Sequence, residues 1–279
     1  MSLSNQENKK LQEIAAQIRC TIIDITSSAG GSHIGGAMSQ TDILTLLYFK
    51  YLNINPSKPR WEDRDRFVLS KGHGGAGLVA VLANRGYFNP DVINNYGKKG
   101  SWFSMHMNAE KVPGVDISTG SLGHGLSQAV GLAMGARYLK KTWRTYCLVG
   151  DGECHEGSIW EAAMAAHHYK LDNLTAVVDR NMMCVDGRTE DVMSLEPLAD
   201  KWTAFGWKVK VVNGHSFSEL AAAFDFALAN KEGPVVVIAN TIKGKGYHLL
   251  ENDPAWHYGA LDSGKAEEAK RCILGVQSE

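Results

Sequence analysis

The chain has 279 residues, 44% of them hydrophobic and 21% charged, with 29 Lys and Arg against 30 Asp and Glu. A fold of this length buries about three quarters of the surface its unfolded chain exposes, and the composition excludes disorder over most of the sequence. The near-zero net charge speaks against a nucleic-acid or anionic-membrane surface, and no apolar run approaches the roughly 18 residues of a transmembrane helix.

Leu11, Ile14, Ala15, Ile18, Ile22 and Ile25 recur at helical spacing, which predicts a helix over 6–29. Ser39 is placed to cap a second helix running to residue 52. From there β-rich runs and helical stretches alternate. A strand at 67–69 precedes a helix from about 76, and a helix from 122 to about 140 precedes a strand at 146–149. The pattern continues with helix 158–169, strand 175–178, helix 195–205, strand 209–212, helix 217–230 and strand 235–239. Strands separated by helices of roughly 10–15 residues imply βαβ units, hence an α/β fold with a three-layer, doubly wound, mostly parallel sheet. No Pro/Gly/Ser-rich linker divides residues 10–260, so a single domain spanning 1–279 is expected, with 261–279 as a charged helical extension. Residues 1–10 are polar and lack the apolar core of a secretory signal. Five cysteines without CxxC spacing read as free thiols, so a reducing, cytoplasmic setting is expected.

In open α/β sheets, ligands sit beyond the carboxyl ends of the strands. The segments at those ends are Ser70-Lys71-Gly72-His73-Gly74, Gly150-Asp151-Gly152-Glu153, Asp179-Arg180-Asn181 and Thr241-Ile242-Lys243-Gly244-Lys245-Gly246. Most are glycine-rich or carry oxygen ligands, which points to one polar site. Gly72-x-Gly74-x-x-Gly77 fits the dinucleotide fingerprint, but the acidic residue due about 20 residues later falls in the turn Asn89-Pro90-Asp91. A close-packed strand–helix turn is therefore favoured over a nicotinamide site. In Gly150-Asp151-Gly152 the glycines let the backbone approach a phosphate, and Asp151 reads either as a ligand of a hard cation or as a turn or cap aspartate. Asn181 follows one helix and one strand later, so the two oxygen donors can meet on one Mg²⁺ ion that shares substrate phosphates. Glu153 and Glu156 precede the helix near 158, where they read as complements of its dipole. His33, His73 and His124 sit in glycine loops, and His106 and His257 in polar or aromatic ones; with no cysteines at zinc spacing they suit hydrogen bonding and proton transfer.

Taken together these motifs resemble the amino-terminal, diphosphate-binding half of transketolase, over roughly residues 8–260. The diagnostic stretch runs from Gly150-Asp151-Gly152 to Asn181, the thiamin diphosphate signature. Leu69-Ser70-Lys71-Gly72-His73-Gly74 and Thr119-Gly120-Ser121-Leu122-Gly123 support it, as does Thr241-Ile242-Lys243-Gly244-Lys245-Gly246. The resemblance implies thiamin diphosphate as cofactor, with Asp151, Asn181 and the carbonyl of Met183 holding Mg²⁺, for which Ca²⁺ or another divalent cation can substitute. It implies Gly152 close to the diphosphate, His73 and His257 hydrogen-bonded to it, and Gly120, Ser121 and Leu122 along the cofactor's ring region. His33 and His106 would face substrate hydroxyls, His33 and His257 would assist proton transfer, and Glu156 would join a glutamate network between cofactor sites at a subunit interface.

The implied reaction moves a two-carbon glycolaldehyde unit from a ketose phosphate to an aldose. Family transketolases are usually more than twice this length, and their activating glutamate lies in a second, pyrimidine-binding domain. The chain is therefore expected to be one subunit of a split enzyme, inactive alone, in a two-plus-two heterotetramer with a pyrimidine-domain partner. The family's Ser-Gly-His-Pro-Gly is here Gly31-Ser32-His33-Ile34-Gly35, its His-Pro-Glu/Asp is His106-Met107-Asn108, a usual Gln is His124, and Tyr258 is an extra residue before Gly259. These departures lie on the donor side and leave a modified sugar phosphate open as the donor. The alternatives are the α subunit of a 2-oxo acid dehydrogenase or a deoxyxylulose phosphate synthase type of enzyme, which share the cofactor signature.

Overall fold

A computed structural model describes residues 3–276. Helix α1 (Asn5–Ser28) begins at a capping box, in which Ser4 Oγ accepts from the Glu7 amide at 3.2 Å while the Glu7 carboxylate accepts from the Ser4 amide at 2.9 Å. Its apolar stripe buries Leu11, Ala15, Ile18, Ile22 and Ile25, as the periodicity requires.

The next segment departs from expectation. Helix α2 (Ile34–Ser39) starts directly after His33, and Ser39 ends it rather than capping a later helix. The Ser39 hydroxyl donates to Asp179 at 2.6 Å, so it is not available as a cap. After Gln40 the chain resumes as α3 (Thr41–Leu46) and a π-helical turn (Leu47–Tyr51).

The remaining elements alternate in the expected order: β1 (Arg66–Leu69), α4 (Gly75–Arg85), α5 (His124–Tyr138), β2 (Thr145–Gly150), α6 (Gly157–His168), β3 (Leu174–Arg180). They continue as α7 (Thr189–Val192), α8 (Leu198–Ala204), β4 (Lys208–Asn213), α9 (Phe217–Ala229), β5 (Val235–Asn240) and α10 (Ser263–Leu274). The five strands form one parallel sheet in the order β1-β2-β3-β5-β4, in register at Leu69↔Leu148, Gly150↔Asp179 and Arg180↔Asn240.

The side-chain period of two sorts each central strand between two cores. Phe67, Leu69, Tyr146, Leu148, Val177 and Val237 pack with α1, α4 and α9 on one face. Val68, Cys147, Val149, Ala176, Val178 and Ile238 pack with α5, α6 and α8 on the other. Both faces of the sheet are thus covered, and this accounts for uninterrupted apolar strands such as β2. Because every pairing is parallel, all five carboxyl ends open at one edge. Among the described residues no helix is long and apolar enough to cross a membrane.

The Gly72-x-Gly74-x-x-Gly77 turn is a packing device. A Cβ on Gly74 or Gly77 would lie 2.8 or 2.6 Å from the Gln40 side chain, and one on Gly72 would lie 2.7 Å from Thr119.

Candidate functional site

A cavity of about 280 Å³, partly open to solvent, lies beyond the carboxyl ends of the strands. Of the twelve residues expected at the site, ten line it: His33, His73, His106, Gly120, Leu122, Asp151, Gly152, Asn181, Met183 and His257. Ser121 and Glu156 do not. Ser121 is exposed, with its hydroxyl 3.3 Å from His124 Nδ1, and Glu156 is an exposed residue preceding α6 that makes no side-chain cap.

Three imidazoles meet at the centre. The His33 ring lies 5.1 Å from His73 and 5.2 Å from His257, and His73 and His257 are 5.6 Å apart in a stacked pair. They come from the residue before α2, the turn after β1 and the short turn Pro254–His257. Burial first, and then neighbouring cationic groups, holds all three in the neutral form. His33 falls to about 4, His73 to about 2 and His257 to about 3. His33 Nδ1 is buried with no hydrogen-bond partner.

Lys243 completes this side of the cavity. Its Nζ is 2.8 Å from His257 Nδ1 and donates to the Cys184 carbonyl at 3.1 Å. With His257 neutral, Nδ1 is the acceptor and the ring proton sits on Nε2. Burial and the nearby Lys71 push the Lys243 ammonium down to about 8, against the pull of Asp151 and Asp179.

The same cavity is also lined by oxygen-bearing residues. Asp151 and Asn181 are buried at the ends of β2 and β3, and Met183 follows in the loop beyond. Asp151 accepts from the Gly152 amide at 2.8 Å, the Met182 amide at 2.6 Å and the Arg180 guanidinium at 3.3 Å. Even so, burial and the Asp179 charge raise its carboxyl to about 6. A Cβ on Gly152 would lie 3.0 Å from Cys184 Cβ, so the turn and the loop close on each other only over glycine. Among the described residues no three His, Cys, Asp or Glu are grouped to hold a metal. A cation here would draw on carboxylate, amide and carbonyl oxygens, the set that suits Mg²⁺ or Ca²⁺. Carboxylate, amide and carbonyl oxygens lining the same cavity as an ammonium and three imidazoles, with an orphaned ring nitrogen on one of them, fit a metal-bound diphosphate.

Sequence reasoning missed the groups that support these walls. Glu153 does not serve the helix dipole. It is buried, and it accepts from Ser70 Oγ at 2.6 Å, the Gly123 amide at 2.8 Å and the Gly150 amide at 2.9 Å, joining three segments around the cavity. Replacing it by alanine leaves three inward donors unsatisfied and is expected to cost about 2–4 kcal/mol, measured by urea unfolding. Glu153→Gln, which keeps the acceptor oxygen, should recover part of that loss. Lys71 and Lys243 stand inside the site motifs, yet the partners they meet, Asp179 for Lys71 and His257 with the Cys184 carbonyl for Lys243, appear only in three dimensions.

The fold and the cavity define an α/β domain with a polar site at the carboxyl edge of a parallel sheet. The family described as "Transketolase, thiamine diphosphate binding domain" matches residues 10–279, and the chain belongs to it. It is 42% identical over 271 residues to an apulose-4-phosphate transketolase subunit of Phocaeicola vulgatus, covering 97% of this chain and 92% of that protein. Similarity to the 6-deoxy-6-sulfo-D-fructose transketolase subunit SqwG of a Clostridium species is 41% over 253 residues, 91% of this chain and 92% of that protein. Among solved structures, transketolase from Campylobacter jejuni superposes with a TM-score of 0.90 at 31% identity. The chain spans 43% of that longer molecule, with 96% of its own length matched.

Proposed function

We propose that the chain is the diphosphate-binding subunit of a two-chain transketolase, which transfers a two-carbon glycolaldehyde unit from a ketose phosphate to an aldose. The observation that carries this reading is the single cavity in which the oxygen donors Asp151, Asn181 and Met183 face His33, His73, His257 and Lys243. Relatives named as subunits match over nearly their whole length, which supports the existence of a partner chain. That partner would carry the pyrimidine-binding domain, in a two-plus-two assembly in the cytoplasm.

When bound, thiamin diphosphate supplies a carbon nucleophile and an electron sink. Asp151, Asn181 and the Met183 carbonyl hold a divalent cation, Mg²⁺ in the first instance. Lys243 and His73 face the anionic phosphates, Gly120 and Leu122 line the cofactor's ring region, and Gly152 gives the backbone its close approach. His257, with Nδ1 occupied by Lys243, keeps Nε2 for substrate. Neutral His33 is suited to accept the proton of the donor's C3 hydroxyl, and His106 to orient the glycolaldehyde hydroxyl. Ser121 and Glu156, outside the cavity, are left for the face that meets other chains. The donor-side departures favour a modified ketose of the kind named for the two relatives, apulose-4-phosphate or 6-deoxy-6-sulfofructose.

Calorimetric titration of the full chain with thiamin diphosphate, alone and with its co-purifying partner, tests the reading. Saturable binding that requires Mg²⁺ is expected, and Asp151→Ala should weaken it about 100-fold, equivalent to roughly 2.7 kcal/mol. Failure of the wild-type chain to take up the cofactor under both conditions would sink the proposal.

A further inference from the structure

Away from the cavity lining, three side chains with no role in the motifs form a largely buried unit. Asp42 of α3 accepts from Arg19 of α1 at both oxygens, Nη1 at 3.0 Å and Nη2 at 2.7 Å. His215, in the turn after β4, places Nδ1 2.7 Å from Asp42 Oδ2. Burial alone would raise the Asp42 carboxyl, but Arg19 and His215 outweigh it and hold the group below the usual carboxylate range.

Each partner of Asp42 makes one further bond, and both bonds go to the segment that follows β5. The Ile242 amide donates to His215 Nε2 at 2.8 Å, and Arg19 Nε donates to the Lys245 carbonyl at 3.0 Å. These two contacts bracket Lys243, whose ammonium lines the cavity and reaches His257. Gly244, between them, has φ +78° and packs so that a Cβ would lie 2.1 Å from the Leu250 carbonyl, so the segment has little freedom of its own.

The chemistry fixes the state of the ring. A backbone amide only donates, so His215 Nε2 must be the acceptor, and the proton sits on Nδ1, where it bonds Asp42. A proton on Nε2 would set two N–H groups against each other and release Ile242.

We propose that Asp42, through Arg19 and His215, clamps residues 242–245 and thereby sets the position of Lys243 in the cavity. His215, as the neutral Nδ1–H tautomer, is the positioning residue. The effect on cofactor uptake rests on the reading of the cavity given above; the clamp itself does not.

The test uses the full chain as wild type, His215→Phe and His215→Gln, with hydrogen–deuterium exchange, spectra of ¹⁵N-labelled histidine, and titration with thiamin diphosphate and Mg²⁺. Wild-type His215 should show a protonated Nδ1 and a bare Nε2. In His215→Phe, exchange over 241–247 should quicken and the cofactor should bind about 3- to 10-fold more weakly, the range expected for one lost neutral hydrogen bond. His215→Gln, which can place an amide oxygen near the position of Nε2, should recover most of both. A wild-type ring protonated on Nε2, or unchanged exchange over 241–247 in His215→Phe, overturns the clamp. Equal losses in the Gln and Phe variants mean that an acceptor at the Nε2 position does not hold the segment, and overturn it as well. Should His215→Phe fail to fold, the ring spectrum and His215→Gln decide: fast exchange over 241–247 in the latter overturns the proposal. A wild-type chain that binds no cofactor would sink the cofactor reading and leave exchange and tautomer to judge the clamp.

Discussion

Replacing Asp179 by alanine is expected to destabilise the chain by about 3–5 kcal/mol, the cost of leaving a buried partner charge without compensation. The Asp179 side chain is 0% exposed and that of its partner Lys71 is 2% exposed, so water cannot substitute for either. Four segments converge on this one carboxylate. Lys71 from the turn after β1 and Ser39 from the end of α2 donate to Oδ2, Thr241 from beyond β5 donates to Oδ1, and the residue itself lies in β3. Lys71 also donates to the Gly36 carbonyl at 3.1 Å, which ties α2 to the cavity floor. Burial by itself would raise the Asp179 carboxyl, yet Lys71 and the two hydroxyls bring it below the ordinary range, so it stays ionised at neutral pH. Urea unfolding at neutral pH measures the loss, and a Tm roughly 10 °C lower should accompany it in a domain of this size. A double change to Lys71→Met and Asp179→Leu removes both charges and should recover a substantial part of the stability. A loss below about 1 kcal/mol in Asp179→Ala, the range of an exposed ion pair, would mean that the pair is hydrated in solution.

That hub also separates what the sequence could convey from what it could not. The central strands were legible because burial on both faces writes an unbroken apolar run, as in Cys147-Leu148-Val149. Lys71, His73, Asp151, Gly152, Asn181 and Lys243 were legible because they follow the carboxyl ends of strands, where the topology of a parallel sheet gathers ligands, whereas His33, His106, Gly120, Leu122 and His257 lie on other segments and were placed in the site only through the family resemblance. The start of α2 was not. The serine that suggested a cap bonds Asp179 instead, and a Cβ on Gly35 would lie 2.7 Å from the Trp256 carbonyl. The burial of Lys71 against a counter-charge was not legible, because Asp179 is 108 residues away in sequence. Glu153 misleads for a related reason. An acidic residue ahead of a helix fits the dipole rule, and only the folded chain brings Ser70 and Gly123 to its carboxylate. Pairings of long sequence separation, such as Asp42 with His215 across 173 residues, carry no local signature at all.

Stability of the cofactor-free chain is expected to fall steeply as pH drops below about 6.5, the value of histidine in an unfolded chain. The folded-state values are depressed to about 4 for His33, about 2 for His73 and about 3 for His257. The unfolded chain therefore takes up protons first. The contribution of these rings is complete above about pH 6.5 and is lost progressively below it, until each folded-state value is reached, by up to about 1.4 kcal/mol per pH unit for each ring. Partial solvent access trims that slope, whereas the mutual distances of 5.1–5.6 Å and the neighbouring Lys243 sharpen it, since a charge on one ring penalises the next. Asp151 acts in the opposite sense. Its carboxyl, raised to about 6, binds a proton sooner in the folded chain and offsets part of the loss over the same range. Urea unfolding at about pH 7, 6 and 5 gives the slope, and His73→Gln should make it shallower by about 1 kcal/mol per pH unit. Equal slopes in the two proteins would mean that His73 titrates as a hydrated ring. A shallower slope would establish a dry cluster of neutral imidazoles beside a buried ammonium, the state in which such a ring can take a proton from a bound hydroxyl and return it.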